Sequence, residues 1–442
     1  MSSKDFNKKF NKLFNENMVS KKDYSKYDFF SNTEATLETD QNVNQGNMGA
    51  IFENLKNNGW EPEYEKDRII GLKRENQKIT TEPGFQYELS GAPFKNIHFV
   101  CSENSSHFNE LKEIFSSTSI ITSSIAYDPF NKLIDIPKSP KERYKIMTSE
   151  MPKSGKLSLD MMYKTAGIQI NYDYISEEDF EKKFKIGNYL APLTIALFAN
   201  SPFNENKLSG FLSYRGKVWQ ETNRGGIMPI TFENVNFEKY IDHAINYPIL
   251  FLKKNGKYYS PNGQTFRDFL NGNLSFLKGE KPTLEDFENH LGTIFTEIRL
   301  KQVIEFRSLD TCNFGCICNG PSFFTGLIYG SLDETYEIIK NWKKEEVMDA
   351  YLNAPKQGLN TLLKDKKLID WAKIFLDISK KGLDKRNELN KSGKNETIYL
   401  KHIEEIIKNK KTRAEILIEQ YNKTNNLNFL VNHDENFSYS GF

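Results

Sequence analysis

Four stretches of this chain alternate apolar and polar residues with a period of two, and this pattern constrains the fold more than any other feature. On a β-strand, residues i, i+2 and i+4 share one face, so the alternation predicts strands that bury one face. In the stretch AGIQINYDY, the apolar residues Ile168, Ile170 and Tyr172 alternate with Gln169 and Asn171. Any one such stretch is typical of a half-exposed antiparallel strand.

The polar faces of the four stretches together carry acids, amides and fixed cations. In the other three, TEPGFQYELSG, FSNTEATLETD and TEIRLKQVIEFRSLD, the polar positions are Glu34, Thr36, Glu38, Glu82, Gln86, Glu88, Arg299, Lys301, Glu305 and Arg307. If these faces line one concave sheet, their carboxylates suit Mg²⁺ shared with substrate phosphates, and their planar arginine forks suit phosphate oxygens. The pattern therefore predicts a nucleotide–metal site built on an antiparallel sheet.

Composition argues against several other classes of protein. The chain has 60 Lys+Arg against 59 Asp+Glu, whereas a general nucleic-acid binder would show a basic excess. No apolar run approaches the roughly eighteen residues of a transmembrane helix, and the P-loop and Rossmann motifs are absent. The N-terminal segment lacks the apolar core of a secretory signal, and four cysteines are few for this length. We therefore expect a cytoplasmic protein with no nucleic-acid or membrane partner. Separately from composition, we expect small-molecule substrates and a monomeric or homodimeric state.

The apolar period changes along the chain and predicts three segments. Residues 1–26 are rich in lysine and asparagine and are predicted to form a mobile arm. Residues 27–330 mix strand-like and helical runs and are predicted to form the catalytic core. In residues 331–442, apolar side chains recur at three- and four-residue spacing, as at Trp371, Ile374 and Phe375, which predicts a helical part of the same domain.

Five long strings occur in one order along the chain: EPGFQYELSGAP, MPKSGKLSLDMMYKTAGIQINYDY, LFANSPF, GFLSYRGKVW and FTEIRLKQVIEFRSLD. In these strings the chain resembles the plant-type glutamate–cysteine ligases of plants and proteobacteria, over roughly residues 28–330. The resemblance implies an α+β fold of the glutamine synthetase superfamily. In such a fold a twisted antiparallel sheet lines the active site, helices pack around it, and the C-terminal part is helical.

The resemblance also implies a reaction in two steps. ATP would phosphorylate the γ-carboxylate of L-glutamate, and the amine of L-cysteine would then displace phosphate to give γ-glutamylcysteine, the first step of glutathione biosynthesis. Phosphoryl transfer of this kind depends on positioning and charge neutralisation more than on a nucleophile of the protein. ATP and Mg²⁺ are therefore the implied cofactors.

Family motifs imply roles for individual residues. The expected metal ligands are Glu34, Glu82, Glu88 and Glu305, and the expected catalytic pair is Glu305 and Arg307. The residues expected to bind substrate glutamate are Arg143, Arg215 and Trp219, and those expected to bind the nucleotide are Arg224, Arg299 and Lys301. Cys101 and Cys318 match family cysteines that form a regulatory disulfide in plant members.

The chain departs from the family pattern at several positions. Thr36 stands where the family has a second carboxylate, while Gly167 and Phe85 replace a family Thr and Gly. Residues 313–321 lack two arginines of the matching family segment. Three interpretations therefore stay open: a glutamate–cysteine ligase, an ATP-dependent ligase that joins glutamate to a different amine, and a catalytically reduced regulatory homologue.

Overall fold

The computed structural model describes residues 29–39, 45–116, 120–313 and 315–431, with residues 29–39, 45–47, 116, 120–122 and 431 described by their backbone alone. The predicted arm over residues 1–26 and the chain beyond residue 431 lie outside the described residues. The strands are β1 (Phe29–Thr39), β2 (Glu61–Glu65), β3 (Arg68–Arg74), β4 (Gln77–Thr81), β5 (Tyr87–Ser90), β6 (Ile120–Ser123), β7 (Gly167–Tyr172), β8 (Phe203–Asn204), β9 (Lys207–Leu208), β10 (Leu252–Lys254), β11 (Lys257–Tyr259), β12 (Ile298–Leu300), β13 (Ile304–Asp310), β14 (Leu362–Leu363) and β15 (Lys366–Lys367).

One nine-stranded sheet dominates the described part of the chain. Its main path runs β12-β13-β7-β1-β5-β4-β3-β2, β6 also pairs with β1, and all of these pairings are antiparallel. Ile168, Ile170 and Tyr172 on β7 are fully buried in the main apolar cluster, as their alternation predicts. The predicted antiparallel sheet is therefore confirmed.

The stretch around residues 298–310 forms a hairpin rather than a single strand. A turn at residues 301–303 separates β12 from β13, and the register sets Arg299 opposite Glu305 and Ile298 opposite Phe306. Directly opposed residues of an antiparallel pair lie on the same face. The hairpin therefore keeps the predicted separation of apolar and charged side chains while folding the charged ones closer together.

Helices surround the sheet and make up the C-terminal part. They are α1 (Gln45–Asn57), α2 (Ile97–Ser116), α3 (Glu142–Glu150), α4 (Ser158–Lys164), α5 (Glu177–Tyr189), α6 (Ala191–Leu197), α7 (Tyr214–Gln220), α8 (Phe237–Ile245), α9 (Phe266–Asn271), α10 (Leu284–Leu291), α11 (Asn319–Thr325), α12 (Leu332–Ile339), α13 (Lys344–Gln357), α14 (Leu368–Arg386), α15 (Lys401–Asn409) and α16 (Arg413–Thr424). Ser213, Thr265 and Thr283 cap α7, α9 and α10, because each side-chain oxygen accepts a first-turn N–H. The predicted α+β class with a helical C-terminal part is confirmed.

The largest apolar cluster contains residues from both sides of position 330, including Phe306 on β13 and Phe375 on α14. A second cluster lies between α1, α2 and strands β3 to β5. The division of the chain at residues 26 and 330 stays a prediction. Among the described helices, none has both the length and the apolar character needed to cross a membrane.

Candidate active site

A cavity of about 410 Å³ opens on the polar face of the sheet. Its wall is built from β4, β5, β7, β12 and β13 and from helices α3, α4, α7 and α10. The sequence-predicted residues that the structure brings into this wall are Glu82, Glu88, Arg143, Trp219, Arg299, Lys301, Glu305 and Arg307. The polar faces of separate strands thus meet in one cavity.

Glu305 stands at the centre of a cluster of cations. Its side chain is 1% exposed, and Nε of Arg299 lies 2.5 Å from its Oε2, while Nη1 of Arg307 lies 3.2 Å from its Oε1. Nζ of Lys301 is 3.8 Å from Oε2. Burial opposes ionisation of Glu305, but the three cations outweigh it and hold the pKa of this carboxyl well below its usual range. Three cations around one carboxylate give this cluster a local excess of positive charge.

Lys301 shows the effect of this crowding. The neighbouring guanidinium of Arg299, partly offset by Glu305, lowers the pKa of Lys301 to about 8. Lys301 is half-buried and is the most exposed of the three cations. An arriving anion would relieve the repulsion among these cations, which is the electrostatic condition for binding phosphate.

Arg307 is oriented from three sides. Its Nη1 lies 2.5 Å from Oε1 of Gln169 on the neighbouring strand, in addition to its bond to Glu305. Its guanidinium carbon lies 5.4 Å from the centre of the Trp219 ring, within the range of a cation–π contact. The guanidinium is therefore held in place before any ligand binds.

Glu82 and Glu88 flank a tight loop between β4 and β5. The Glu82 N–H donates to the carbonyl of Gln86, and the side chain of Gln86 donates to the carbonyls of Met162 and Thr165. Phe85 adopts a left-handed φ of 64°. The loop is thus tied to α4, and both carboxylates line the cavity beside the cation cluster.

Two of the hydrogen-bond donors in the cavity wall, on Arg143 and Trp219, have no acceptor among the described residues. Nε of Arg143 and Nε1 of Trp219 are both buried, with no hydrogen-bond partner among the described residues. Nη2 of Arg143 donates to the hydroxyl of Tyr144, and the Arg143 guanidinium lies over the Tyr144 ring at 4.9 Å. Buried donors without partners are costly, so a ligand with carboxylate oxygens would satisfy them.

Three sequence-predicted site residues are not brought into the described cavity wall. Arg224 is buried, with Nε 2.6 Å from the Thr293 carbonyl and Nη1 2.9 Å from the Pro248 carbonyl. The guanidinium carbon of Arg215 lies 5.5 Å from the centre of the Trp219 ring, and Nη2 of Arg215 donates to the carbonyl of Arg307. Glu34 is described by its backbone alone. It lies on β1 directly opposite Glu88 of the neighbouring strand β5. Their expected roles stay predictions.

All four cysteines lie close to one another. The structure joins Cys101 on α2 to Cys318, next to α11, and joins Cys312 to Cys316. Each is at least nine-tenths buried. The first bond ties α2, which packs under β3 to β5, to the segment that follows β13. A regulatory role for this bond stays a prediction.

Sequence reasoning missed several buried polar residues around the site. Lys141 donates to the Thr81 carbonyl next to Glu82, and burial lowers the pKa of its ammonium group to about 8. Asp310 accepts hydrogen bonds from Ser201 and Ser213 behind the cavity. Lys141 could have been found from its position two residues before Arg143, whereas Asp310 gave no local signal.

Comparisons with known proteins first define a class. A glutamate–cysteine ligase from Francisella tularensis, solved in complex with AMP, has the same fold with a TM-score of 0.55 at 15% identity, covering 90% of this chain and 85% of that one. A bifunctional glutathione synthetase from Pasteurella multocida aligns with a TM-score of 0.50 at 14% identity, covering 95% of this chain and 52% of that one. At this identity the likeness concerns the fold alone, and the class that these comparisons define is that of proteins with this fold.

The sequence relatives then give the family. The profile of glutamate–cysteine ligase family 2 matches residues 34–433. The chloroplastic glutamate–cysteine ligase of Solanum lycopersicum is 41% identical over 367 residues, which are 82% of this chain and 69% of the relative. The chloroplastic enzyme of Arabidopsis thaliana is 39% identical over 405 residues, which are 90% of this chain and 76% of the relative. The chain belongs to the glutamate–cysteine ligase family.

The expectation of a cytoplasmic protein is wrong. The relatives from Solanum lycopersicum, Oryza sativa and Arabidopsis thaliana are all named as chloroplastic enzymes. The expectation rested on the small number of cysteines and on the polar N-terminal segment. A cysteine count does not identify a compartment, and the structure pairs all four cysteines in disulfides.

Proposed function

We propose that this chain uses ATP to join L-glutamate to L-cysteine through the γ-carboxylate, giving γ-glutamylcysteine, the first step of glutathione biosynthesis. The observation that carries the proposal is the cavity in which Arg299, Lys301 and Arg307 surround Glu305, with the carboxylates of Glu82 and Glu88 in the same wall. Family membership supports the same reaction.

The proposed reaction has two nucleophilic displacement steps. A γ-carboxylate oxygen of glutamate attacks the terminal phosphorus of ATP, and the bond from that phosphorus to ADP breaks. The cysteine amine then attacks the acyl carbon, the bond to phosphate breaks, and the amine loses a proton. Both steps move negative charge between oxygen atoms, so fixed cations that need no reorganisation accelerate them most.

The cation cluster is the proposed nucleotide end of the cavity. Arg299, Lys301 and Arg307 would bind the transferred phosphoryl group and compensate its charge, with Glu305 holding the two guanidinium groups in place. Glu82 and Glu88 would hold Mg²⁺, because this ion is commonly bound by one or two carboxylates together with substrate phosphates. When bound, Mg²⁺ supplies further neutralisation of phosphate charge.

Arg143 and Trp219 form the proposed glutamate end. Their donors Nε and Nε1 have no partner among the described residues and lie in the wall of the same cavity. A planar guanidinium matches a carboxylate in two bonds, which favours Arg143 for the α-carboxylate of glutamate. This leaves the γ-carboxylate directed toward the cations.

The experiment is an assay of phosphate release by the purified full chain with ATP, Mg²⁺, glutamate and a panel of amines. Release that requires cysteine and yields γ-glutamylcysteine is the expected result. Release with a different amine would instead support a ligase of other acceptor specificity, which the proposal rejects. Absence of release with every amine, with the chain folded, would support a catalytically reduced homologue, which Thr36 favours.

The metal proposal is tested in the same assay. Glu88→Gln keeps the side-chain shape and removes the charge, so we expect the Mg²⁺ concentration for half-maximal rate to rise about tenfold or more. The matched control is Glu103→Gln, because Glu103 on α2 bonds Gln77 and the Ala92 N–H outside the cavity wall. If both variants require the same Mg²⁺ concentration, Glu88 is not a ligand of the metal.

A further inference from the structure

An irregularity in β13 changes which face of the strand Asp310 occupies. The register passes from Phe306 opposite Ile170 to Leu309 opposite Ile168, so Arg307 and Ser308 stand against the single residue Gln169. An extra residue of this kind is a β-bulge, which redirects the side chains beyond it. Asp310 then lies opposite Gly167, on the cavity side of the sheet rather than the core side.

Asp310 is buried and accepts hydrogen bonds from Asn200, Ser201 and Ser213. Its side chain is 1% exposed. Its Oδ2 accepts from Ser201 Oγ at 2.7 Å and from the Asn200 N–H at 2.9 Å, and its Oδ1 accepts from Ser213 Oγ at 3.0 Å. Nη1 of Arg215 lies 3.7 Å from Oδ1. Burial raises the pKa of this carboxyl, and these donors are what stabilise its charged form.

The two serine hydroxyls connect Asp310 to the first turn of α7. Ser201 Oγ accepts from the Arg215 N–H at 3.0 Å, and Ser213 Oγ accepts from the Gly216 N–H at 2.9 Å. Each hydroxyl oxygen already accepts a hydrogen bond from a backbone N–H. Its single O–H therefore donates a hydrogen bond to Asp310. The start of α7 is therefore fastened to the end of β13.

Helix α7 and strand β13 each contribute a side chain to the cavity wall, Trp219 and Arg307. Trp219 lies one turn along α7, and the guanidinium carbons of Arg215 and Arg307 lie 5.5 and 5.4 Å from the centre of its ring. Nη2 of Arg215 also donates to the Arg307 carbonyl at 3.0 Å. Gly167 makes this arrangement possible, since a Cβ there would overlap with the Arg215 guanidinium.

We propose that Asp310 is a positioning residue that sets the glutamate-binding helix α7 against the phosphate-binding strand β13. It acts through Arg215 and the two serines and touches no substrate itself. The inference rests on the proposed function for the identity of the ligand at this end of the cavity. This role accounts for a carboxylate whose side chain is only 1% exposed.

The test compares Asp310→Asn, Arg215→Lys and the double variant in the full chain. We expect Asp310→Asn to raise the KM for glutamate about tenfold and to change the KM for ATP less than about twofold. Because Asp310 acts through Arg215, the double variant should raise the glutamate KM no further than the larger single effect. Additive effects, or an unchanged glutamate KM in Asp310→Asn, would overturn the inference.

Asp179→Asn is the matched control, since Asp179 is a buried carboxylate paired with Lys183 at 2.8 Å and does not line the cavity. It should lower Tm and leave both KM values unchanged. If Asp310→Asn does not fold, Ser213→Ala removes one donor to Asp310 and should still raise the glutamate KM about threefold.

Glutamate affinity measured by calorimetry separates this inference from the proposed function. A wild-type chain that binds no glutamate would overturn both. A wild-type chain that binds glutamate, with an Asp310→Asn variant that binds it equally well, would overturn only the role of Asp310.

Discussion

Arg299 and Glu305 lie directly opposite each other in the β12–β13 hairpin, with Nε of Arg299 2.5 Å from Oε2 of Glu305. Nη1 of Arg299 also donates to the carbonyls of Gly292 and Ile294. The guanidinium is therefore fixed by both the hairpin and the segment after α10. The other two cations of the cluster, Lys301 and Arg307, contact the Glu305 carboxylate of this pair.

Glu305→Gln should abolish turnover and destabilise the fold. The substitution leaves the positive charges of Arg299, Lys301 and Arg307 without their carboxylate, and breaking a buried ion pair costs about 3–5 kcal/mol of unfolding free energy. Urea unfolding and phosphate release measure the two effects. Glu396→Gln is the control, because Glu396 is a buried glutamate paired with Arg386 away from the cavity. It should lose stability and keep its turnover; equal turnover in both variants would contradict the account.

Arg143→Lys should raise the KM for glutamate strongly with a smaller change in kcat. Lysine cannot reproduce a two-bond guanidinium–carboxylate contact, and the expected cost is about 2–4 kcal/mol of binding free energy. The comparison is Arg224→Lys, because Arg224 is bonded to the Thr293 and Pro248 carbonyls outside the cavity wall. That variant should lower Tm with little change in the KM for glutamate. Steady-state kinetics that show the reverse order would place Arg143 outside the glutamate site.

Stability should fall in mild acid because of His290. Its Nε2 donates to the Ala244 carbonyl at 2.8 Å, and burial lowers its pKa to about 3. The unfolded chain protonates this group near pH 6.5, so below that value the unfolded state binds more protons and the unfolding free energy decreases with falling pH.

Between about pH 7.5 and pH 5, His290 alone should account for a loss of about 2 kcal/mol. Urea unfolding of wild type and His290→Gln at the two pH values isolates this contribution, because glutamine keeps the N–H donor without titrating there. Equal pH dependence in the two proteins would show that His290 does not titrate as described.

The Cys101–Cys318 bond should stabilise the chain and sustain turnover. It closes a loop across a sequence separation of 217 residues, for which chain entropy predicts about 5 kcal/mol of stabilisation. We expect dithiothreitol to lower both Tm and turnover of the wild type, with peptide mapping to identify the bond. Cys312→Ser should respond to reductant as the wild type does. If all four thiols stay free under mild oxidant and reductant does not change turnover, the regulatory role of the Cys101–Cys318 bond would be contradicted.

The sequence alone predicted the faces of the strands, because the period of two is a local property. It placed Glu88, Arg299, Glu305 and Arg307 on cavity faces. It could not predict the hairpin turn or the bulge after Phe306, since both are defined by the pairing partner. It also could not predict that Arg224 bonds distant carbonyls, because nothing near Arg224 in sequence indicates them.

The most direct test of the central claim follows oxygen atoms. Glutamate labelled with a heavy oxygen isotope in its γ-carboxylate is incubated with the full chain, ATP, Mg²⁺ and cysteine, and the products are examined by mass spectrometry. If the cation cluster stabilises an acyl phosphate, each γ-glutamylcysteine formed should leave one labelled oxygen in inorganic phosphate, with ADP as the other product. Label in AMP, or product formed with unlabelled phosphate, would contradict the account.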